Sequence, residues 1–223
     1  MVDFFTSEDL TGITFLLSTP NIHNPGLVSD AYNSWLENLY ISSKALPVHR
    51  SPKSFGDGTS IDSCGRTVSQ WIQLCSQYHS TCNRFRRSDW YPTRLLDLEW
   101  NSEGKTERSI RLIETRDGLP TRPYVTLSHC WGDATICKLE KATIAQFKRC
   151  ITLEQLPKTF IDAIAVARFL RIRYIWIDSL TIVQDNEKDR IRESAAMKQV
   201  YQNSFCNIGA TGSNDSRGGL FFA

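Results

Sequence analysis

The sequence predicts an α/β protein: a parallel sheet flanked by helices, preceded by an N-terminal α+β elaboration. Three observations carry this. Tyr124–Gly132 and Tyr174–Ile182 open with apolar, β-branched and aromatic runs of the kind a buried strand needs. Between them, Leu156–Leu170 has helical spacing, with Phe160, Ala163, Ile164, Ala167 and Leu170 on one face. Strand, helix, strand with both strands nearly all apolar is the sequence form of a parallel βαβ unit. Both strands end in polar groups, Ser128, His129 and Trp131 after the first and Asp178 and Ser179 after the second. Ligands in open α/β sheets bind at the carboxyl ends of strands, so the site is expected there.

Taken in order, residues 1–60 read as an arm or subdomain and 61–223 as the α/β domain. The arm offers a short strand at Ile13–Leu17 and a short helix at Asp30–Tyr40, and Pro52, Gly56 and Gly58 mark Ser51–Asp62 as a loop. Cys64–Asn83 reads as a helix on the spacing of Trp71, Leu74, Cys75, Tyr78, His79 and Cys82. Arg94–Trp100 and Ser109–Ile113 read as strands joined by a hairpin turn at 101–105. Asp185–Glu187 starts a helix that continues over Asp189–Gln202, with Ile191, Ala195, Val200 and Tyr201 among its apolar positions and Asp or Asn as its cap. Phe205–Ala210 reads as a third parallel strand, Asn214–Gly219 as a flexible polar loop, and the apolar Gly219–Ala223 as a tail that packs on the core or leads into a longer chain.

With 223 residues, 41% hydrophobic and 22% charged, the chain can bury a full core. A net charge of +2 does not advertise nucleic-acid binding, and Arg84, Arg86, Arg87 and Arg94 read as a solvated basic face. No stretch is apolar enough to span a bilayer, and the acidic start, with Asp3, Glu8 and Asp9, is unlike a signal peptide. The seven cysteines are therefore expected to be reduced thiols of a cytoplasmic protein.

Three side chains are candidates for chemistry: Asp178 at a strand end, His129 able to move protons near neutral pH, and Glu193 on the following helix. Carboxylates beside a ribose, with Trp131 as a stacking surface and Ser128 and Ser179 as further contacts, suit nucleotide binding and glycosidic cleavage through an oxocarbenium-like transition state. The same residues also read as structural: a carboxylate bonded to loop amides, a satisfied histidine and a packing indole. Ser128 and His129 are not a hydrolase pair, because neighbours on a strand point to opposite faces and no Gly-x-Ser-x-Gly elbow is present. Cys75, His79 and Cys82, with Cys64 as a fourth, share a helix face and could hold zinc, or be buried small residues. Gly209–Gly212 could approach a phosphate or form a plain turn, and neither a Gly-x-Gly-x-x-G nor a Walker loop is present.

Several spaced motifs resemble one family. They are Tyr124-x-x-Leu-Ser-His-Cys-Trp-Gly132, Leu156-Pro-x-Thr-Phe160 with Asp162-Ala163, Tyr174-x-Trp-Ile-Asp-Ser179, and Glu193-x-x-x-Met197-x-x-x-Tyr201. Upstream stand Trp71-x-x-x-Cys75-x-x-x-His79-x-x-Cys82 and Pro92-Thr-Arg-Leu-Leu-Asp97. In this order, over about residues 64–220, they resemble the fungal heterokaryon-incompatibility (HET) domain. The resemblance implies a role in nonself recognition that triggers cell death, a flavodoxin-like fold distantly related to TIR domains, and NAD as a possible substrate. It also implies a cysteine where this chain has Thr181. Two other functions stay open: a non-catalytic module that self-associates to signal, and a biosynthetic enzyme acting on a small organic molecule in a closed apolar pocket.

Overall fold

The computed structural model describes residues 14–16, 59–78, 90–99, 109–118, 120, 122–132 and 137–222. Their centre is strand β4, Tyr124–Ser128, hydrogen-bonded in parallel to β5, Tyr174–Ile177, on one side and to β6, Asn207–Gly209, on the other. A short β1, Thr14–Leu16, adds a fourth parallel strand outside β6. On the opposite edge β5 pairs antiparallel with β2, Arg94–Asp97, and β2 with β3, Arg111–Glu114. The order across the six-stranded sheet is β1-β6-β4-β5-β2-β3.

The sheet is mixed, not parallel throughout as expected, because β2 and β3 join it antiparallel. The hairpin β2–β3 is built into the same sheet, with Leu96 opposite Ile175 and Asp97 opposite Tyr174. Arg173 locks the junction by holding the buried Asp97 carboxylate with two hydrogen bonds, of 2.7 and 2.8 Å. The expected hairpin turn at 101–105, the helix at 30–40 and the loop at 51–58 lie outside the described residues.

Helices cover both faces. Helix α1, Ile61–Tyr78, and α3, Lys158–Phe169, pack on one, where Val68, Ile72, Phe160, Ala163, Ile164 and Ala167 meet Val125, Leu127, Ile175 and Ile177. A short α2, Ile144–Arg149, precedes α3. Helix α5, Glu187–Asn203, covers the other face, where Val200 and Tyr201 meet Tyr124, Tyr174 and Trp176. The period-2 alternation of the strands explains the split: odd-numbered β4 residues face α3 and even-numbered ones face α5. Burying one large apolar side chain such as Phe160 contributes about 2 kcal/mol, and the two faces together supply many of them.

Local chemistry sets the ends of these elements. Helix α3 closes in a Schellman arrangement, with Arg171 left-handed at φ 58° and the amides of Arg171 and Ile172 donating to the carbonyls of Arg168 and Ala167. That turn aims the chain into β5. At the carboxyl end of β5 the one-turn helix α4, Asp178–Thr181, begins, and Asn186 then caps α5 by accepting from the Asp189 amide at 3.4 Å. The inward stripe of α5 runs through Asp189, Glu193, Met197 and Val200, while Ile191 and Ala195 lie exposed, contrary to the sequence expectation. Polar residues can occupy the buried start of this stripe because arginines meet them. Arg94, expected on a solvated basic face, is buried and grips Asp189 through two hydrogen bonds of 2.9 Å.

The segment after β6, expected to be flexible, is tied down. The Thr159 amide donates to the Ser216 carbonyl, the Gly219 amide to the Thr159 hydroxyl, and the Leu220 amide to the Asp162 carboxylate at 2.8 Å. Gly219 is required here: its φ is +86°, and a Cβ would sit 2.5 Å from that carboxylate. The tail does pack, with Leu220 fully buried. Among the described residues no helix is long and apolar enough to cross a membrane.

Candidate functional site

The chain leaves β4, passes through α2 and α3 to β5, and returns on the opposite face through α5 to β6 on the far side of β4. The winding direction therefore changes at β4, and the carboxyl ends beside such a reversal form the ligand crevice of an open α/β sheet. The sequence-predicted residues His129, Trp131, Asp178 and Ser179 all stand at these ends.

Asp178 is the best-anchored member. Its Oδ2 accepts from the Trp131 indole Nε1–H at 2.8 Å and its Oδ1 from the Ser179 amide at 2.7 Å. Burial pushes its carboxyl above the usual carboxylate range, against the pull of His129, Trp131 and the Ser179 amide. Its side chain keeps 23% exposure, so the carboxylate remains reachable from outside. His129 contrasts with it. Its side chain is 1% exposed, and its Nδ1 is 3.8 Å from Asp178 Oδ1, beyond hydrogen-bonding distance. Neither ring nitrogen has a hydrogen-bond partner. Packing holds the ring instead: the Phe160 ring stands edge-on at 4.8 Å, and the Trp131 ring lies nearly parallel at 6.4 Å. Burial pulls the imidazole pKa below its ordinary value although Asp178 pulls the other way, so the ring is neutral at pH 7.

Among the described residues three buried hydroxyls also lack a partner: Ser109 just ahead of β3, Ser179 at the end of β5 and Ser216 in the loop after β6. Buried polar groups are nearly always bonded, so His129, Ser179 and Ser216 at one end of a sheet mark a place suited to a ligand's own polar groups. The loops that carry them are fixed. Gly132, with φ +59°, lets the turn after β4 press against the loop after β6, where a Cβ would lie 2.5 Å from that of Asp215. The Leu139 amide donates to the Ser179 carbonyl and the Gln184 amide to the Leu139 carbonyl, each at 2.8 Å. Lys138 thereby sits with its amine 5.4 Å from the centroid of the Trp131 ring.

Ser128 points to the α5 face and His129 to the α3 face, as the strand period requires. The Ser128 hydroxyl is hydrogen-bonded to the phenol of Tyr201, whose pKa burial and the Asp178 charge raise, keeping it a neutral hydroxyl. Glu193 is buried on α5, where its carboxylate accepts from Arg192 at 2.9 and 3.0 Å, and none of its described bonds reaches His129, Asp178 or Trp131. Thr181 points inward, its hydroxyl donating to the Ile177 carbonyl at 2.8 Å, so its side chain is committed to the interior. Gly212 packs against the Phe222 ring, and residues 211–212 form a turn after β6.

Of the proposed zinc ligands, Cys75 lies half-buried on α1, and His79 and Cys82 fall outside the described residues. Cys64 cannot join them as a fourth ligand. It is eleven residues from Cys75 on one continuous helix, about 16 Å along the axis. Its thiol instead donates to the carbonyls of Thr59 and Ser60. No group of three or more metal-ligating side chains occurs among the described residues.

Sequence reasoning missed Lys138, Ser216 and the edge contact of Phe160. The signal for Tyr201 was present in the four-residue repeat Glu193, Met197, Tyr201, whereas nothing in the sequence marks Ser216. No curated protein and no solved structure matches the chain. The family model described as Heterokaryon incompatibility protein (HET) matches residues 124–223, the stretch that begins at β4 and supplies every member of the cluster. This part of the chain, from the central strand to the buried tail, is therefore a domain of the heterokaryon-incompatibility (HET) family.

Proposed function

We propose that this chain is an effector of fungal nonself recognition, acting in the cytoplasm, and that it triggers cell death by hydrolysing an NAD-type nucleotide. The observation that carries the reading is Asp178: a desolvated carboxylate with both oxygens fixed by donors, facing a buried neutral imidazole that has no partner. Such a carboxylate stabilises positive charge that develops on a ribose, because its orienting donors cost no reorganisation during reaction. In the step proposed, the bond between C1′ and the nicotinamide nitrogen breaks and its electron pair leaves with neutral nicotinamide. Water adds to C1′ and gives its proton to His129. The Ser179 and Ser216 hydroxyls are available to the sugar, and Glu193 supports the site from α5.

Two comparisons favour this over the other readings. A biosynthetic enzyme for an apolar molecule needs a closed pocket with convergent polar groups. Among the described residues, an apolar cavity between α1, α3 and β6 has about 30 Å3, too little for such a molecule, and neither His129 nor Asp178 lines it. A TIR-like self-associating module gains support from exposed aromatics on α1, Trp71 at 49% and Tyr78 at 59%. It gives no reason for three unpartnered polar groups at the strand ends. Pure protein incubated with NAD tests the proposal. Nicotinamide release by the wild type, abolished in Asp178→Asn and reduced in Glu193→Gln, is expected. No release at high protein concentration, including conditions that favour oligomers, would move the weight to the signalling module.

A further inference from the structure

The hydrolysis proposed above leaves one part of the rim without a task, the amine of Lys138 over the Trp131 ring. The indole separates two opposite charges. Its N–H holds the Asp178 carboxylate at the ring edge, while the Lys138 amine lies over the ring face at 5.4 Å. Both are anchored to the same element: Trp131 through Asp178, and Lys138 through Leu139, which is wholly buried and bonded to Ser179 and Gln184. Among the described residues no carboxylate pairs with Lys138, so an ammonium with a neutral aromatic beneath it faces outward, half-buried. An ammonium in such a position is a point charge suited to phosphate.

We infer that Lys138 is the specificity-determining residue of this site: it takes a phosphate of a ligand whose ribose end lies at Asp178, with the Trp131 ring between them. The inference rests on the nucleotide reading and deepens it, because it names the residue that distinguishes a nucleotide from its bare nucleoside. It is tested by binding, apart from turnover. ADP-ribose and adenosine are titrated into the full chain as wild type, Lys138→Gln and Lys138→Arg, by calorimetry. Removing the charge is expected to weaken ADP-ribose about tenfold, in line with one charge-assisted contact. Lys138→Arg stays near wild type, and adenosine binding is the same in all three. Nicotinamide release measured on the same samples judges the hydrolysis separately: Lys138-dependent binding without release would retain this inference and end the hydrolytic reading. No ADP-ribose binding to the wild type, equal affinities in wild type and Lys138→Gln, or a loss shared by adenosine would each overturn it.

Discussion

Replacing Arg94 by Met removes the cation from the most buried ion pair around the site. Arg94 and Asp189 have side chains only 10% and 5% exposed and meet through two bonds of 2.9 Å. Arg94 also donates to the Thr181 carbonyl at 3.0 Å, so one guanidinium ties β2 to α4 and to the first turn of α5. Breaking a buried pair from one side costs roughly 3–5 kcal/mol, because a carboxylate is left without its counter-ion. Asp189 keeps the Val183 amide at 2.9 Å and the more exposed Arg192, which places Arg94→Met near the lower end, at about 3 kcal/mol. For a domain of this size that is a fall in Tm of about 6–12 °C. Asp189→Asn carries a similar cost, and the double variant costs less than the sum by about 2 kcal/mol, since the partners are in contact. The pH dependence has a definite sign. Burial alone would raise the Asp189 carboxyl, but the bonds from Arg94 and Val183 and the charges of Arg94 and Arg192 hold it below the usual carboxylate range. Its contribution is thus complete above the unfolded carboxylate value of about 4 and is lost as pH falls through the folded value. Urea denaturation followed by circular dichroism, at pH 7 and at pH 3, reads both effects. A cost under 1 kcal/mol for Arg94→Met, or strict additivity in the double variant, would refute the reasoning.

Three other perturbations have defined outcomes. Gly132→Ala places a Cβ in left-handed backbone against Asp215 and should destabilise by about 2 kcal/mol, seen as a lowered urea midpoint with unchanged slope. Because burial depresses the His129 pKa, the folded state binds fewer protons than the unfolded one between that lowered value and about 6.5. Wild-type stability should therefore fall, relative to His129→Gln, as pH drops from 7 to 5, and parallel curves would show that His129 is not held neutral by burial. Asp162→Ala strips the partner from the buried Leu220 amide and should cost about 2 kcal/mol, with faster hydrogen exchange at Leu220 and Gly219 as its local mark.

What was legible in the sequence is what local pattern encodes. The runs of β4 and β5, the apolar face of α3 and the Asn186 cap each write their structure within a few residues, and the strand ends then locate His129, Trp131 and Asp178. What was not legible depends on partners distant along the chain. Arg94 reads as one more surface arginine until Asp189, on a helix far downstream, is placed against it. The hairpin β2–β3 is legible as a hairpin, but its antiparallel pairing with β5 is set by Leu96 meeting Ile175, which no local period reports. Ile191 misleads for a related reason: its hydrophobic character implies burial, while the buried start of α5 is occupied by carboxylates that arginines satisfy. The loop after β6 looked mobile from its glycines and polar residues, yet those glycines allow its close packing on α3.

In the proposed function a ligand docks at the neutral, unpartnered His129 beside Asp178, and nitrogen NMR of the imidazole rings shows whether it does. The chain has four histidines, so His129→Gln assigns the signal. Free protein at pH 7 should show a neutral His129 ring, and saturating ADP-ribose should shift one of its nitrogens to a hydrogen-bonded position. A ring already protonated in the free protein, or signals that do not move at saturation, would rule out docking at His129.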